Sequence, residues 1–469
     1  MKSMNSLRLS LVLSPADSGS AFALTFLLSV ILLYPSCAKQ NLSGTMDIQD
    51  KSSCRVVIDL KSDLGPVTHR GSGILHSFHT AEPPDSLVLP LKLSAFRGRA
   101  NENYLFSVGF YDRLKKIGVK HIQVVLSDSY GYPNGFAGWP GDKNDWGYWE
   151  SVVENVVKES MKRKMDVEYD IWNEPDIGYF WAKDQAIWLE TWKRGYRKVR
   201  SLDPFAPIVG PSISHFNMKY LAGFLRYAKN NDCLPDILSW HELGAACARN
   251  IPSHVRQISD YLTSETIAIN RFSINEIIPE AKKFSPGSAI CYLSTIERTP
   301  VESACRSCWD DIGVNSGENR SLDGMLTHDT KQPRSIWWAH KSFGDITDRI
   351  VKMTFEGGRK KFIHGLAGYD EKKKKMRLVF GNCETKESIP LELVFLNLDK
   401  AKNLVHEGLF HGGRVHCIVE HIPPSGTADL ARPEITLEQT LSVGNHSLSI
   451  SLPSLEPEGV YSISLSPGR

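Results

Sequence analysis

The chain has 469 residues, 41% hydrophobic and 23% charged, with a net charge of +2. That length exceeds a typical single domain and suits one large domain plus a smaller one. The near-neutral charge excludes a nucleic-acid polyanion as the general partner. Of eleven tryptophans, eight fall within residues 139–240.

The N-terminus reads as a targeting segment. Lys2 and Arg8 precede the apolar run "FALTFLLSVILLY" at 22–34, which is short for a membrane span and suits a signal-peptide core. "YPSC", ending at Cys37, is similar to a lipoprotein cleavage box, although Tyr34 stands where a small aliphatic residue is usual. Residues 1–37 are therefore expected to be a leader for export, with a lipid on Cys37 as the one expected membrane attachment. Cys305 and Cys308 form a lone CxxC, weak as a zinc signal and better read as a local disulfide or unpaired thiols.

Residues 38–69 read as a linker with one lead-in strand, "RVVIDL". Candidate strands follow at 71–77, 87–96, 119–126, 166–172, 206–213, 236–242, 271–277 and 322–327. Several are nearly continuous apolar runs, as parallel strands covered on both faces require. Helical patterns lie between most of them. The clearest is "WLETWKRGYRKVRSLDP", in which Trp188, Trp192, Tyr196 and Val199 recur at helical spacing and pack on the sheet. Eight strand–helix units over 70–348 predict a (β/α)8 barrel. At 349–469 short alternating strands separated by turns predict an antiparallel β-sandwich. There "EKKKK" at 371–375 reads as a solvated hairpin tip.

Reactive groups of such a barrel stand at the C-terminal strand ends. The fourth strand runs into Asn173-Glu174-Pro175 and the seventh into Asn275-Glu276. The sixth ends at His241-Glu242, and the third leads to Asp128. Two glutamates projecting into one cavity suit glycosidic bond cleavage, which needs an acid for the departing oxygen and a carboxylate for the anomeric carbon. Pro175 biases Glu174 away from helical geometry, and the Asn173 amide suits a sugar hydroxyl. Asp128 either meets substrate or braces the long third loop. Arg97 either binds an acidic sugar or pairs a barrel carboxylate. Trp139, Trp146, Tyr179 and Trp181 lie on expected loops, where flat rings either stack on sugars or pack the loops on themselves.

"DIWNEPD", followed about a hundred residues later by "FSINEI", resembles the clan A retaining glycoside hydrolases. Within them the chain looks most like glycoside hydrolase family 39, the β-xylosidases and α-L-iduronidases. "DSYGYPNGFAGWPGDKNDWGYWE", "SLDPFAPIVGPSIS" and "DILSWHE" also resemble that family, and the likeness covers roughly residues 70–348. It implies Glu174 as acid/base and Glu276 as nucleophile, with His241 as the family's sixth-strand histidine and His76, on the first strand, as a substrate-binding histidine. Leu243, where relatives often carry an aromatic, and Glu242 depart from the pattern and bear on sugar preference. The implied protein is an exported exo-acting retaining glycosidase of the β-xylosidase type, with carbohydrate as partner and no metal or organic cofactor. An endo-acting polysaccharidase of the same clan and a non-catalytic carbohydrate-binding lipoprotein are the alternatives.

Overall fold

The computed structural model describes residues 52–131, 138–244, 247–310, 319–398, 409–410, 413–444 and 447–468. The expected leader at 1–37, Cys37, and the linker up to residue 51 lie outside the described residues. No helix among those described is long and apolar enough to cross a membrane.

The chain opens with β1 (Cys54–Pro66) and then builds a closed parallel barrel. Its strands are β2 (Gly73–Leu75), β3 (Ala95–Gly98), β4 (His121–Val125), β5 (Glu168–Asp170), β6 (Ile208–Ile213), β7 (Ile237–Glu242), β8 (Arg271–Ile277) and β9 (Ser303–Arg306). Between them run α1 (Asp85–Val88), α2 (Phe110–Lys116), α3 (Leu126–Tyr130), α4 (Gly147–Lys162), α5 (Gln185–Leu202), α6 (Met218–Asn230), α7 (Cys247–Ser264) and α8 (Pro286–Glu297); α9 (Ser335–Gly344) follows β9. Each strand pairs in parallel with its sequence neighbours, and β9 closes on β2. Trp188 and Trp192 of α5 are fully buried and pack their rings on Phe224 of α6.

Two of the expected barrel strands are corrected. The run 87–96 carries Pro90, which lacks the N–H that a parallel ladder needs. It folds as α1 and a short 3-10 turn (Leu89–Leu91), and the strand begins only at Ala95. The eighth strand is Ser303–Arg306, not 322–327. Leu322, Asp323 and Gly324 have φ of 55°, 54° and 79°, a left-handed turn that no strand accommodates. Asp323 nevertheless serves the barrel, because its Oδ2 accepts the Leu75 N–H at 2.7 Å.

Beyond the barrel come β10 (Arg349–Glu356), β11 (Ile363–Asp370), β12 (Lys375–Asn382), β13 (Ile389–Leu396), β14 (Arg414–Ile422), β15 (Glu434–Ser442), β16 (Ser447–Leu455) and β17 (Val460–Pro467). With β1 they make one nine-stranded sheet in the order β15-β14-β17-β12-β11-β10-β1-β13-β16. It is mostly antiparallel, the exception being β1 beside β13. The lead-in strand is thus an interior strand of the C-terminal sheet. Alternate residues of eight of these strands, from Val56 and Ile58 to Ile463 and Leu465, gather into one apolar core, and half-buried Leu437 and Leu441 of β15 pack against it. On the opposite face Ile350, Leu366, Val379 and Val460 meet Ile290 and Leu293 of α8 and Ala339 and Phe343 of α9. The hairpin β11–β12 turns at the lysine run, with Asp370 opposite Lys375.

Candidate active site

After β5 the chain continues through Ile171 and Trp172, both fully buried, before it turns at Glu174. Glu174 has φ +46°, a left-handed conformation for a residue with a Cβ. Its N–H donates to the Ser212 carbonyl at 2.9 Å. Holding a side-chained residue there costs about 1–3 kcal/mol. The turn leaves the right-handed helical region, as Pro175 demands, but toward positive φ rather than toward extended backbone. The result aims the Glu174 carboxyl across the barrel mouth at Glu276, on β8. Carboxylate oxygens of the two glutamates and a ring nitrogen of His241 all lie within 4.8 Å of one another.

Arg97, at the end of β3, organises this group from below. Its Nε and Nη2 reach Asp170 Oδ2 at 2.9 and 2.8 Å, Nη1 donates to Glu276 Oε1 at 2.9 Å, and Nη2 to Asn173 Oδ1 at 2.7 Å. Of the two roles open to Arg97, the geometry shows pairing with barrel carboxylates. Asp170 Oδ1 accepts from Ser212 Oγ at 2.8 Å, and the Asn275 amide bridges Asp170 Oδ2 and Ser212 Oγ at 3.1 and 2.9 Å. Asn173 therefore has its carbonyl engaged by Arg97, while its N–H donates to Ser127 Oγ at 3.0 Å.

The electrostatics separate the two glutamates. Burial raises the Glu174 pKa to about 7, with Arg97 opposing and Asp176 reinforcing the shift. Burial also raises Glu276, but the directly bonded Arg97 guanidinium favours its charged form. His241 is fully buried, and desolvation pushes it down to about 4, so its ring is neutral at pH 7. Its Nδ1 lies 2.9 Å from Glu174 Oε1 and its Nε2 4.0 Å from Glu276 Oε1.

A second polar group borders the pair. His76, just after β2, has Nε2 3.7 Å from Asp128 Oδ2, and Arg99 Nε reaches the same oxygen at 3.6 Å. Burial pushes His76 down to about 4. The aromatic residues divide. Trp181 is buried, edge-on to Trp172 at 5.0 Å and to Trp139 at 5.4 Å, with its Nε1 donating to the Asp184 carbonyl. It packs the fourth loop rather than offering a face to a sugar. Trp146 likewise braces α5, with Arg194 over its ring. Trp139 lines a cleft of about 680 Å³ with Tyr130, Pro140, Tyr148 and Lys183. Tyr179 is exposed, its ring against Phe180.

Sequence reasoning missed Asp170 and Ser212. Ser212 is the one polar residue of β6, and Asp170 shares its short strand with Glu168, so neither stood out. Glu242, a departure from the resembled pattern, turns away: its Oε1 meets Trp240 Nε1 at 2.8 Å and His254 Nδ1 at 2.7 Å. The trio Glu174, His241 and Glu276 has the spacing of a metal site, yet Arg97 already brings a cation to Glu276. At the strand starts, the similar trio His121, Glu168 and Glu302 is bridged by Arg271.

The chain matches no protein-family profile. It is 26% identical over 280 residues to a 3-O-α-D-galactosyl-α-L-arabinofuranosidase of Bifidobacterium longum subsp. longum, across 58% of this chain and 23% of that protein. A 3-O-β-L-arabinopyranosyl-α-L-arabinofuranosidase of Bifidobacterium pseudocatenulatum is 25% identical over 286 residues, across 54% and 28%. The chain thus spans about a quarter of the length of these curated relatives. Among solved structures, one from Neocallimastix frontalis superposes with a TM-score of 0.73 at 25% identity, covering 89% of this chain and all of the other. A family 39 β-xylosidase from Caulobacter crescentus gives 0.58 at 16%, covering 88% of this chain and all of the other. A bacterial orthologue of human α-L-iduronidase gives 0.60 at 12%, covering 88% of this chain and 84% of the other. The resemblance to glycoside hydrolase family 39 drawn from the sequence is met in the fold: a closed eight-stranded parallel barrel with a mostly antiparallel sheet.

Proposed function

We propose that the protein is an exo-acting retaining glycosidase of the β-xylosidase type. The observation that carries this reading is the approach of the Glu174 and Glu276 oxygens to within 4.8 Å. A double displacement needs its carboxyl groups about 5–5.5 Å apart, whereas inversion needs about 6.5–9.5 Å to admit a water. Both residues are buried, which supports a closed pocket and action at a chain end over an open groove.

Each residue's part follows from its contacts. Arg97 holds Glu276 Oε1, so Oε2 is the oxygen that attacks the anomeric carbon. Neutral His241 donates its Nδ1 proton to Glu174 Oε1, which leaves Oε2 to carry the proton given to the departing oxygen. Glu174, now ionised, then takes a proton from the water that releases the glycosyl-enzyme.

The names of the two curated relatives favour a second reading of the sugar, an α-L-arabinofuranoside. Aryl β-D-xylopyranoside and α-L-arabinofuranoside, with product stereochemistry followed by NMR, distinguish the two. Glu174→Ala is expected to lower turnover by about 10²–10⁴-fold, and Glu276→Gln to abolish it. An inverted product, or either variant at the wild-type rate, refutes the assignment. Our reading also makes this an exported enzyme, on the leader pattern at 1–37. A mature protein that still begins at Met1 overturns that part.

A further inference from the structure

Barrel and sheet meet where two glycines let backbones touch. A Cβ on Gly287, in the first turn of α8, would lie 2.4 Å from the Asn382 carbonyl oxygen, and one on Gly381 would lie 2.8 Å from the Gly287 Cα. Four residues along α8, on the same helical face as Gly287, stands Cys291. Two residues beyond Gly381 stands Cys383. His364, on β11, is the ladder partner of Gly381. The two sulfurs and a ring nitrogen of His364 lie within 4.8 Å of one another. Both cysteines are buried free thiols.

We propose that Cys291, His364 and Cys383 form a metal site that takes a thiophilic cation of the Zn²⁺ class and fastens the sheet to the barrel. Two thiolates and an imidazole are a donor set that Zn²⁺ prefers over harder cations. His364 Nε2 donates to the Lys361 carbonyl at 3.1 Å. That bond leaves the Nδ1 lone pair available and is the kind of contact that orients a ligating histidine. One donor comes from the barrel and two from the sheet. A disulfide between the cysteines has no use for the histidine, whereas a metal needs it. A hydrogen bond to Cys291 and burial raise the Cys383 pKa, so that thiol keeps its proton in the metal-free protein. Loading exchanges the two thiol protons, released to solvent, for one dication; neutral imidazole binds unchanged, and a water completes the tetrahedron.

The test uses the full chain, purified in reductant, stripped with a chelator, and titrated with Co²⁺ and then Zn²⁺. One equivalent of Co²⁺ is expected to give a thiolate-to-cobalt charge-transfer band in the near ultraviolet, which Zn²⁺ then displaces. The Glu174, His241 and Glu276 group has no sulfur and cannot produce that band. His364→Gln, which keeps both thiols, is expected to weaken Zn²⁺ at least about tenfold and to leave the glycosidase rate of the metal-free protein unchanged. Zn²⁺ is expected to raise the Tm of the wild type and not that of the Cys291→Ala/Cys383→Ala double variant. Absence of the band in the wild type overturns the site. So does Zn²⁺ affinity unaltered in His364→Gln, or a peptide map joining Cys291 to Cys383 in protein kept from reductant.

Discussion

Glu174 and Glu276 are the same side chain given different work by their neighbours. Glu276 has a guanidinium in contact; Glu174 has a neutral imidazole in contact, with Arg97 acting at longer range against burial and the unfavourable charge at Asp176. An acid held at about 7 must be protonated to act, so kcat/KM is expected to fall above about pH 7. Asp176→Asn removes the charge that raises Glu174 and is expected to move that alkaline limb to lower pH, as initial rates across a buffer series will show. Stability carries the same signature. The folded pKa of Glu174 lies above the unfolded value of about 4.3, so its contribution is whole below that value and is lost as pH rises toward 7. Glu174→Gln cannot ionise and is expected to raise Tm at pH 8 more than at pH 4, read by thermal melts. Both glutamates were legible in the sequence because a carboxylate ending an apolar strand needs a reason. Trp181 was not, since a loop aromatic facing another tryptophan looks the same in sequence as one facing a sugar.

Elements were legible where burial leaves one face wet. Helices α4, α5 and α6 carry that periodicity. Helix α8 does not: eleven of its twelve residues are buried between barrel and sheet, so no polar stripe marks it. Strand β9 went unread because only four residues, "SACR", carry it. Contact between elements shows how little slack exists. A Cβ on Gly210 of β6 would come within 2.2 Å of the Trp192 ring, which its Nε1 bond to the Cys233 carbonyl holds in place. Gly210→Ala is expected to cost about 1–3 kcal/mol through overpacking, measured by urea denaturation.

At the scale of the molecule, the sheet's strands showed their alternation, but the position of β1 left no local mark. Its partners β10 and β13 lie beyond the whole barrel in sequence. A chain truncated through residue 66 loses an interior strand and opens the apolar core that Val56 and Ile58 help fill. It is expected to aggregate, as is a barrel cut at residue 348, which bares Leu293 and Phe343. Soluble yield and size-exclusion profiles check both. Synthesis therefore completes this protein by reaching backward. The first described strand leaves the ribosome early and waits for neighbours made only after the whole barrel. A nascent chain stalled inside the barrel presents two bare strand edges to whatever lies nearby.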